Sequence, residues 1–441
     1  MKSLLCTSIC LFALFQSQAL DTSKLDGLLS RYHQHQKAML SVAITEPGRK
    51  AYVHSCGWSN ASVQRLADSN TLYHIGSISK MFTAVMIFQL FQEKKLHPDT
   101  LLSHYFPQIK NSNKIRIAQL LNHHSGIHNF TNDADYSTYM EKEHSRDDLL
   151  KRFSEMPSDF EPGSRGEYSN TNYILLGWIL EETEACTYAQ SLKRRICDPL
   201  HLKHTRVAGW IDSLSNEAYS YTWRSGNWQP APQTHPSIPQ GAGCIESTPT
   251  ELCVFIRALF EGKLVSPASL EKMKSIEDHY GSGILQFPYE GKKAYGHNGG
   301  IDGFQGMLIY MPDDSLAFAL CGNAWNYSMN NAAIAILNAW HGQDFLEPDY
   351  SQPKPVVSKS DTPEGSYTNA TVGLSIVIRK EGEQYTAQAS GQSAFPLTKK
   401  NEEEYVFEAA GIRILFPGAA KKDYSTFRLL QGGMDLEFSR E

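Results

Sequence analysis

From Met81 to Phe91 almost every position is hydrophobic or small, and neither proline nor glycine falls between Ser77 and Phe91. A run of this length predicts a helix buried on most of its sides. Asp21 to His35 predicts an amphipathic helix with Leu25, Leu28 and Leu29 on one face. Met39 to Thr45 and Ala51 to Cys56 alternate like strands about the turn Glu46-Pro47-Gly48-Arg49, which predicts a hairpin. Helical patterns follow at Ile115 to Asn122 (with Gly126 as a cap), Asp147 to Met156, Tyr173 to Glu184, Tyr188 to Ile196, Pro249 to Phe260, Ser269 to Ser275 and Met329 to Trp340. Strand patterns occupy Gly281 to Phe287, Ala294 to Gly296, Gln305 to Met311 and Leu316 to Cys321. Ala208 to Ala242 has little periodicity and reads as an excursion of the kind that lines binding sites. The order predicts an α/β (α+β) fold: an antiparallel sheet flanked by helices, the terminal segments meeting in one sheet, plus an all-helical region.

After Pro348 the pattern changes. Pro348, Pro353, Pro355 and Pro363, with serines and lysines between them, mark a linker. From Gly365 onward short alternating segments recur, beginning with Leu374, Ile376 and Ile378, and predict a small antiparallel barrel-like domain. At the other end Met1-Lys2-Ser3 precedes a mostly apolar run from Leu4 to Phe15, with Ser17 and Ala19 placed for cleavage. That is the pattern of a secretory signal peptide, and the run is too short to span a bilayer. The expected organisation is a signal peptide at 1–19, a main domain at 20–345, a proline-rich linker at 346–364 and a small β-domain at 365–441. The protein is expected to be exported to a periplasm or to the extracellular space.

Composition adds bounds. The chain has 441 residues and is 41% hydrophobic, enough for a sizeable core. Its formal charge of −6 gives no basic footprint for nucleic acid. Beyond the leader lie Cys56, Cys186, Cys197, Cys244, Cys253 and Cys321. Their spacing names no pairs, and the expectation is mostly buried free thiols, with room for one disulfide. His123, His124 and His128 lack a carboxylate or cysteine at ligand spacing, so no metal and no cofactor is expected.

The candidate chemistry lies in three short motifs. Ser77-Ile78-Ser79-Lys80 opens the apolar helix, so Ser77 and Lys80 share a face. A serine nucleophile needs a nearby base and an oxyanion site, and a helix start offers unpaired N–H groups. Ser-x-x-Lys recurs at Ser269 and Ser351 without such a helix. Tyr168-Ser169-Asn170 sits in a loop before a helix, and His297-Asn298-Gly299 enters a strand. Each motif is degenerate alone; their order, spacing and setting carry the information.

That arrangement resembles the serine hydrolases built like class C β-lactamases and D-alanyl-D-alanine carboxypeptidases. The similarity runs from about residue 21 to 343. It includes Leu120-Leu121-Asn122-His123-His124-Ser125-Gly126, Glu161-Pro162-Gly163-Ser164 and Gly296-His297-Asn298-Gly299-Gly300. The resemblance implies a β-lactamase/transpeptidase-like fold in which Ser77 forms an acyl-enzyme. It implies that Lys80 and Tyr168 move the serine proton, with both pKa values lowered for the task. It further implies that Asn170 bonds Lys80 and the substrate amide, and that His297 orients Tyr168 or polarises the substrate. The Ser77 and Gly300 N–H groups would form the oxyanion hole. Asn298 and Gly299 would line the strand edge against which the substrate lies.

Departures bear on the substrate. Neither Lys-Thr-Gly nor Lys-Ser-Gly occurs, so His297 argues against an efficient β-lactamase. Asn298 and Gly300 replace the hydroxyl residues that help carboxypeptidases hold a terminal carboxylate. Gly-x-Ser-x-Gly is missing, which removes support for an α/β-hydrolase esterase. The leading expectation is a peptidase, amidase or esterase acting on a small-molecule or peptide substrate. The alternatives are a non-hydrolysing penicillin- or peptidoglycan-binding module, or a weak D-alanyl-D-alanine carboxypeptidase or β-lactamase. The sequence names no oligomeric state.

Overall fold

The computed structural model describes residues 22–440, leaving out 134, 225, 349, 351–360, 370–373, 383, 390–394, 408–410 and 432–433. The proposed leader, with its cleavage site, and most of the proline-rich segment lie outside the described residues.

A sheet organises the first three-quarters of the chain. Its strands are β1 (Ala38–Thr45), β2 (Tyr52–Cys56), β3 (Leu285–Tyr289), β4 (Lys292–Ile301), β5 (Phe304–Met311) and β6 (Leu316–Trp325), in the antiparallel order β3-β4-β5-β6-β1-β2. The first strand of the chain therefore pairs with one from its far end, Ala38 lying opposite Trp325. The hairpin Tyr221–Arg224 and Asn227–Pro230, within the aperiodic excursion, adds two strands beside β6. Tryptophan 223 and Trp228 face each other across it, giving a local reason for the pairing.

Alternation decides which face each strand residue covers. Leu316, Phe318 and Leu320 pack with helices α1 (Ser23–Gln34) and α5 (Met329–Trp340). Ala317, Ala319 and Cys321 face the opposite way, toward α2 (Ser79–Gln92) and α4 (Pro249–Phe260). The small side chains on this second face admit helices closely, and Phe82 of α2 stacks on Phe255 of α4 with ring centroids 3.7 Å apart. Helix α2 is buried on nearly every side because α3 (Asn170–Glu184) covers its remaining flank. The cap of Ile117–Leu121 differs from expectation: His123, not Gly126, follows the helix in a left-handed conformation (φ 62°). Gly126 answers another demand, since a Cβ there would meet the Phe160 carbonyl oxygen at 2.1 Å.

Eight strands from Gly365–Asn369 to Met434–Arg440 form a closed antiparallel barrel, the first pairing with the last. Tyr367, Tyr405, Phe416, Phe427 and Phe438 fill its core. All six described cysteines are free thiols, five of them buried. Among the described residues no helix is long and apolar enough to cross a membrane.

Candidate active site

Two segments from opposite ends of the fold meet at Ser77. The chain leaves the short strand Tyr73–His74 and makes a 3-10 turn at Gly76–Ile78, and α2 begins at Ser79. Ser77 thus lies in the turn that feeds the helix, and Lys80 in the first helical turn. Gly76 takes φ 50°, and a Cβ on it would meet the backbone of Gly300 at 2.7–2.9 Å. A Cβ on Gly299 would meet the Ile75 carbonyl oxygen at 2.0 Å. Glycine at both positions lets the β4 edge lie directly against the serine turn. Pairing of β4 with β3 ends where Leu285 meets Gly296, so β3 does not pair with the β4 backbone beyond that point.

Tyr168 precedes α3, whose first residue is Asn170. Several bonds fix the loop. The Glu167 N–H donates to the His123 carbonyl (2.9 Å), and the Ser169 N–H donates to His123 Nδ1 (3.2 Å). The Gly166 N–H donates to Asp278 (2.9 Å). The His123 ring lies 4.6 Å from the Tyr168 ring. Sequence reasoning read His123 only as part of a helix end and a motif; a buried histidine holding both neighbours of Tyr168 has no local signature.

The resulting polar centre is compact. The Tyr168 hydroxyl donates to Ser77 Oγ at 2.8 Å, and Lys80 Nζ lies 2.9 Å from the same oxygen. Lys80 Nζ also reaches Asn170 Oδ1 at 2.7 Å and the Ala242 carbonyl at 2.8 Å. Ala242 belongs to a short helix at Gln240–Gly243, tied down by the Thr83 hydroxyl, which donates to Gly241 O at 2.7 Å. Lys80 is wholly buried, and among the described residues it has no ion pair. Burial pushes its pKa well below the usual lysine value. A neutral amine fits this nest: its two hydrogens go to the two carbonyl oxygens, and its lone pair is left for the Ser77 hydroxyl.

Tyr168 departs from expectation. Burial pushes its pKa up, opposed by the hydrogen bond with Ser77. A neutral phenol in this position is a hydrogen-bond donor to the Ser77 hydroxyl. His297 is buried, and burial first and the Lys80 charge second push its pKa down to about 3. A neutral ring has one N–H, and its Nδ1 lies within hydrogen-bond reach of the Asn298 carbonyl. With that hydrogen committed, Nε2 is an acceptor. Asn298 itself is exposed on β4. The structure therefore brings Ser77, Lys80, Tyr168 and Asn170 into one hydrogen-bonded group, with the His297 ring 6.2 Å from that of Tyr168 and Gly299–Gly300 against the serine turn.

A family model described as Beta-lactamase matches residues 25–339. The teichoic acid D-alanine hydrolase of Staphylococcus aureus (strain MRSA252) is 26% identical over 294 residues, spanning 65% of this chain and 70% of the relative. Among solved structures, D-amino acid amidase from Ochrobactrum anthropi SV3 superposes with a TM-score of 0.62 at 24% identity, covering 69% of this chain and 91% of that one. The octameric penicillin-binding protein homologue from Pyrococcus abyssi gives 0.64 at 21% identity, covering 95% of this chain and all of that one. The latter match takes in the C-terminal barrel as well as the sheet.

Proposed function

The chain belongs to the beta-lactamase family of serine hydrolases, and from that premise we propose that it is an exported enzyme cleaving an amide or ester of a small amino-acyl substrate through an acyl-enzyme on Ser77. The observation that carries the reading is the position of Ser77 Oγ between a donor and a base, 2.8 Å from Tyr168 and 2.9 Å from Lys80.

In the proposed reaction Lys80 Nζ takes the Ser77 proton as Oγ attacks the substrate carbonyl. The Ser77 and Gly300 N–H groups receive the developing oxyanion. As the carbonyl re-forms, the bond to the leaving group breaks, and the leaving nitrogen or oxygen takes a proton from Tyr168. The Lys80 ammonium, on the other side of the now acylated Ser77 oxygen, then returns its proton to the Tyr168 phenolate directly. Water then attacks the ester, giving its proton to Lys80, which passes it to Ser77 Oγ as the acid departs, leaving serine and amine as they began. Asn170 holds Lys80 and the substrate amide, and the β4 edge at Asn298, which is exposed, receives the substrate's extended chain, with the buried Gly299 keeping that edge close to the serine turn.

The substrate reading rests on His297. Its free Nε2 accepts hydrogen bonds and carries no positive charge, so it favours an amine or alcohol leaving group over one bearing a carboxylate. The names of the S. aureus and O. anthropi relatives, one a D-alanine hydrolase and one a D-amino acid amidase, support an amino-acyl amide or ester. The test is intact-mass spectrometry and turnover with D-alanyl p-nitroanilide, a p-nitrophenyl ester and a fluorescent penicillin, for wild type and Ser77→Ala. Turnover of the first two, with a transient adduct on wild type alone, is the expected result. A lasting penicillin adduct without ester turnover would show a binding module instead.

A further inference from the structure

An amide side chain has two ends of similar shape, and only its surroundings decide which end faces where. The Asn170 amide could offer Lys80 either oxygen or nitrogen, and the choice matters. Oxygen takes a hydrogen from the lysine and leaves the lone pair for Ser77. Nitrogen would donate to that lone pair and occupy the base.

Here the choice is forced by a chain of bonds beginning at one backbone N–H. The Asn170 N–H can only donate, so the Asn129 side chain beside it must present Oδ1, at 3.0 Å. The same Oδ1 lies 3.1 Å from Thr131 Oγ1, and since it cannot donate, the threonine hydroxyl gives its only hydrogen there. Thr131 Oγ1 is left as an acceptor, and the Asn170 amide group 3.0 Å away must therefore present its NH₂. Its oxygen then faces Lys80 at 2.7 Å. The other end of Asn129 is also held, its Nδ2 donating to Asn132 Oδ1 at 3.1 Å. Phe130, between the two relay residues, is buried against Tyr136 and Phe153, which anchors the segment in the core.

We propose that Asn129 and Thr131 are positioning residues that set the orientation of the Asn170 amide and so reserve the Lys80 lone pair for Ser77. The proposal rests on Lys80 as the base of the hydrolase reading above. Neither residue touches Ser77 or Lys80 in the hydrogen bonds described; both act through Asn170.

Thr131→Val keeps the shape and removes the hydroxyl, while Thr131→Ser keeps the hydroxyl. In the first variant the amide is free to turn its NH₂ toward Lys80, which disfavours the ammonium. Two readouts follow. The Lys80 titration midpoint, measured by NMR on ¹³C-lysine-labelled full-length protein, falls in Thr131→Val and stays at the wild-type value in Thr131→Ser. With a turned-over ester, Thr131→Val lowers kcat about 100-fold with KM within about twofold, and Thr131→Ser keeps kcat within about threefold. Equal Lys80 midpoints in wild type and Thr131→Val, or a Thr131→Ser midpoint displaced as far as that of Thr131→Val, would overturn the proposal. Because the titration needs no turnover, a moved midpoint in a chain that hydrolyses nothing would uphold the amide assignment while the hydrolase reading fell.

Discussion

The two ends of helix α2 bury positive charge in opposite ways. At the start, Lys80 is wholly enclosed by carbonyl and hydroxyl oxygens with no ion pair among the described residues, and its pKa falls. Just past the end, Glu93 meets Arg195, which also pairs with Glu184; the Arg195 side chain is 9% exposed and that of Glu184 2%. There the hydrogen bonds that Arg195 donates to Glu184 and Glu93 raise the arginine pKa further. A buried cation with its anions present is a fastening. A buried cation without them is disfavoured as a cation, which is the condition the proposed general base requires.

Lys80→Met is the most direct way to break this contrast. It removes the base, so the expected loss in kcat is on the order of 10⁵-fold, while the melting temperature does not drop, because a lysine buried at a cost has gone. The check is turnover beside a thermal melt of the same preparation; a large fall in melting temperature would mean that Lys80 is structural. Tyr168→Phe comes next. It keeps the ring against His123 and removes the proton donor, and a loss of about 10²–10³-fold in kcat is expected in steady-state kinetics.

Arg195→Ala should reverse the pattern. Activity per folded molecule stays near wild type, and stability falls by about 3 kcal/mol in urea titration, because Glu184 is left with much of its pairing gone. The smallest effect is on pH. Lys80 has a lowered folded pKa, so it binds a proton on unfolding at any pH between that value and the ordinary lysine value of about 10.4. Stability therefore gains from rising pH across that window and levels off above it, and kcat/KM falls as pH drops through the folded value. The Lys80→Met protein should lose the first dependence, as parallel denaturation series at several pH values would reveal.

The parts of this centre that were legible in the sequence are those that local chain geometry dictates. Ser77 and Lys80 share a face because residues three apart on a helix do, and the apolar run after them could only be buried. Met329–Trp340 was readable to the residue from its apolar pattern. The strands around His297 were read too short, Ala294 to Gly296 against Lys292–Ile301, because Asn298 and two glycines interrupt the hydrophobic alternation there. The Ala242 carbonyl that receives a lysine hydrogen was illegible, since any residue supplies a carbonyl and only tertiary folding brings this one to Nζ. Asn129 and Thr131 were illegible for a related reason: polar residues in a loop give no sign that their partners lie on another element. The direction of the Tyr168 shift was misjudged because burial, which the motif does not encode, outweighs the bond to Ser77.

The placement of β1 between β2 and β6 has a kinetic consequence. A strand made early in synthesis, at Ala38–Thr45, finds one of its two neighbours only when Leu316–Trp325 has emerged. Until then one edge of the β1–β2 hairpin stays unsatisfied, and the sheet that supports the serine turn cannot close. Such long-range pairing slows folding and prolongs the life of an open, sticky intermediate. Refolding of this chain should therefore be limited by the meeting of its two ends, and a circular permutant that joins β6 directly to β1 should fold faster than the natural order of the same strands.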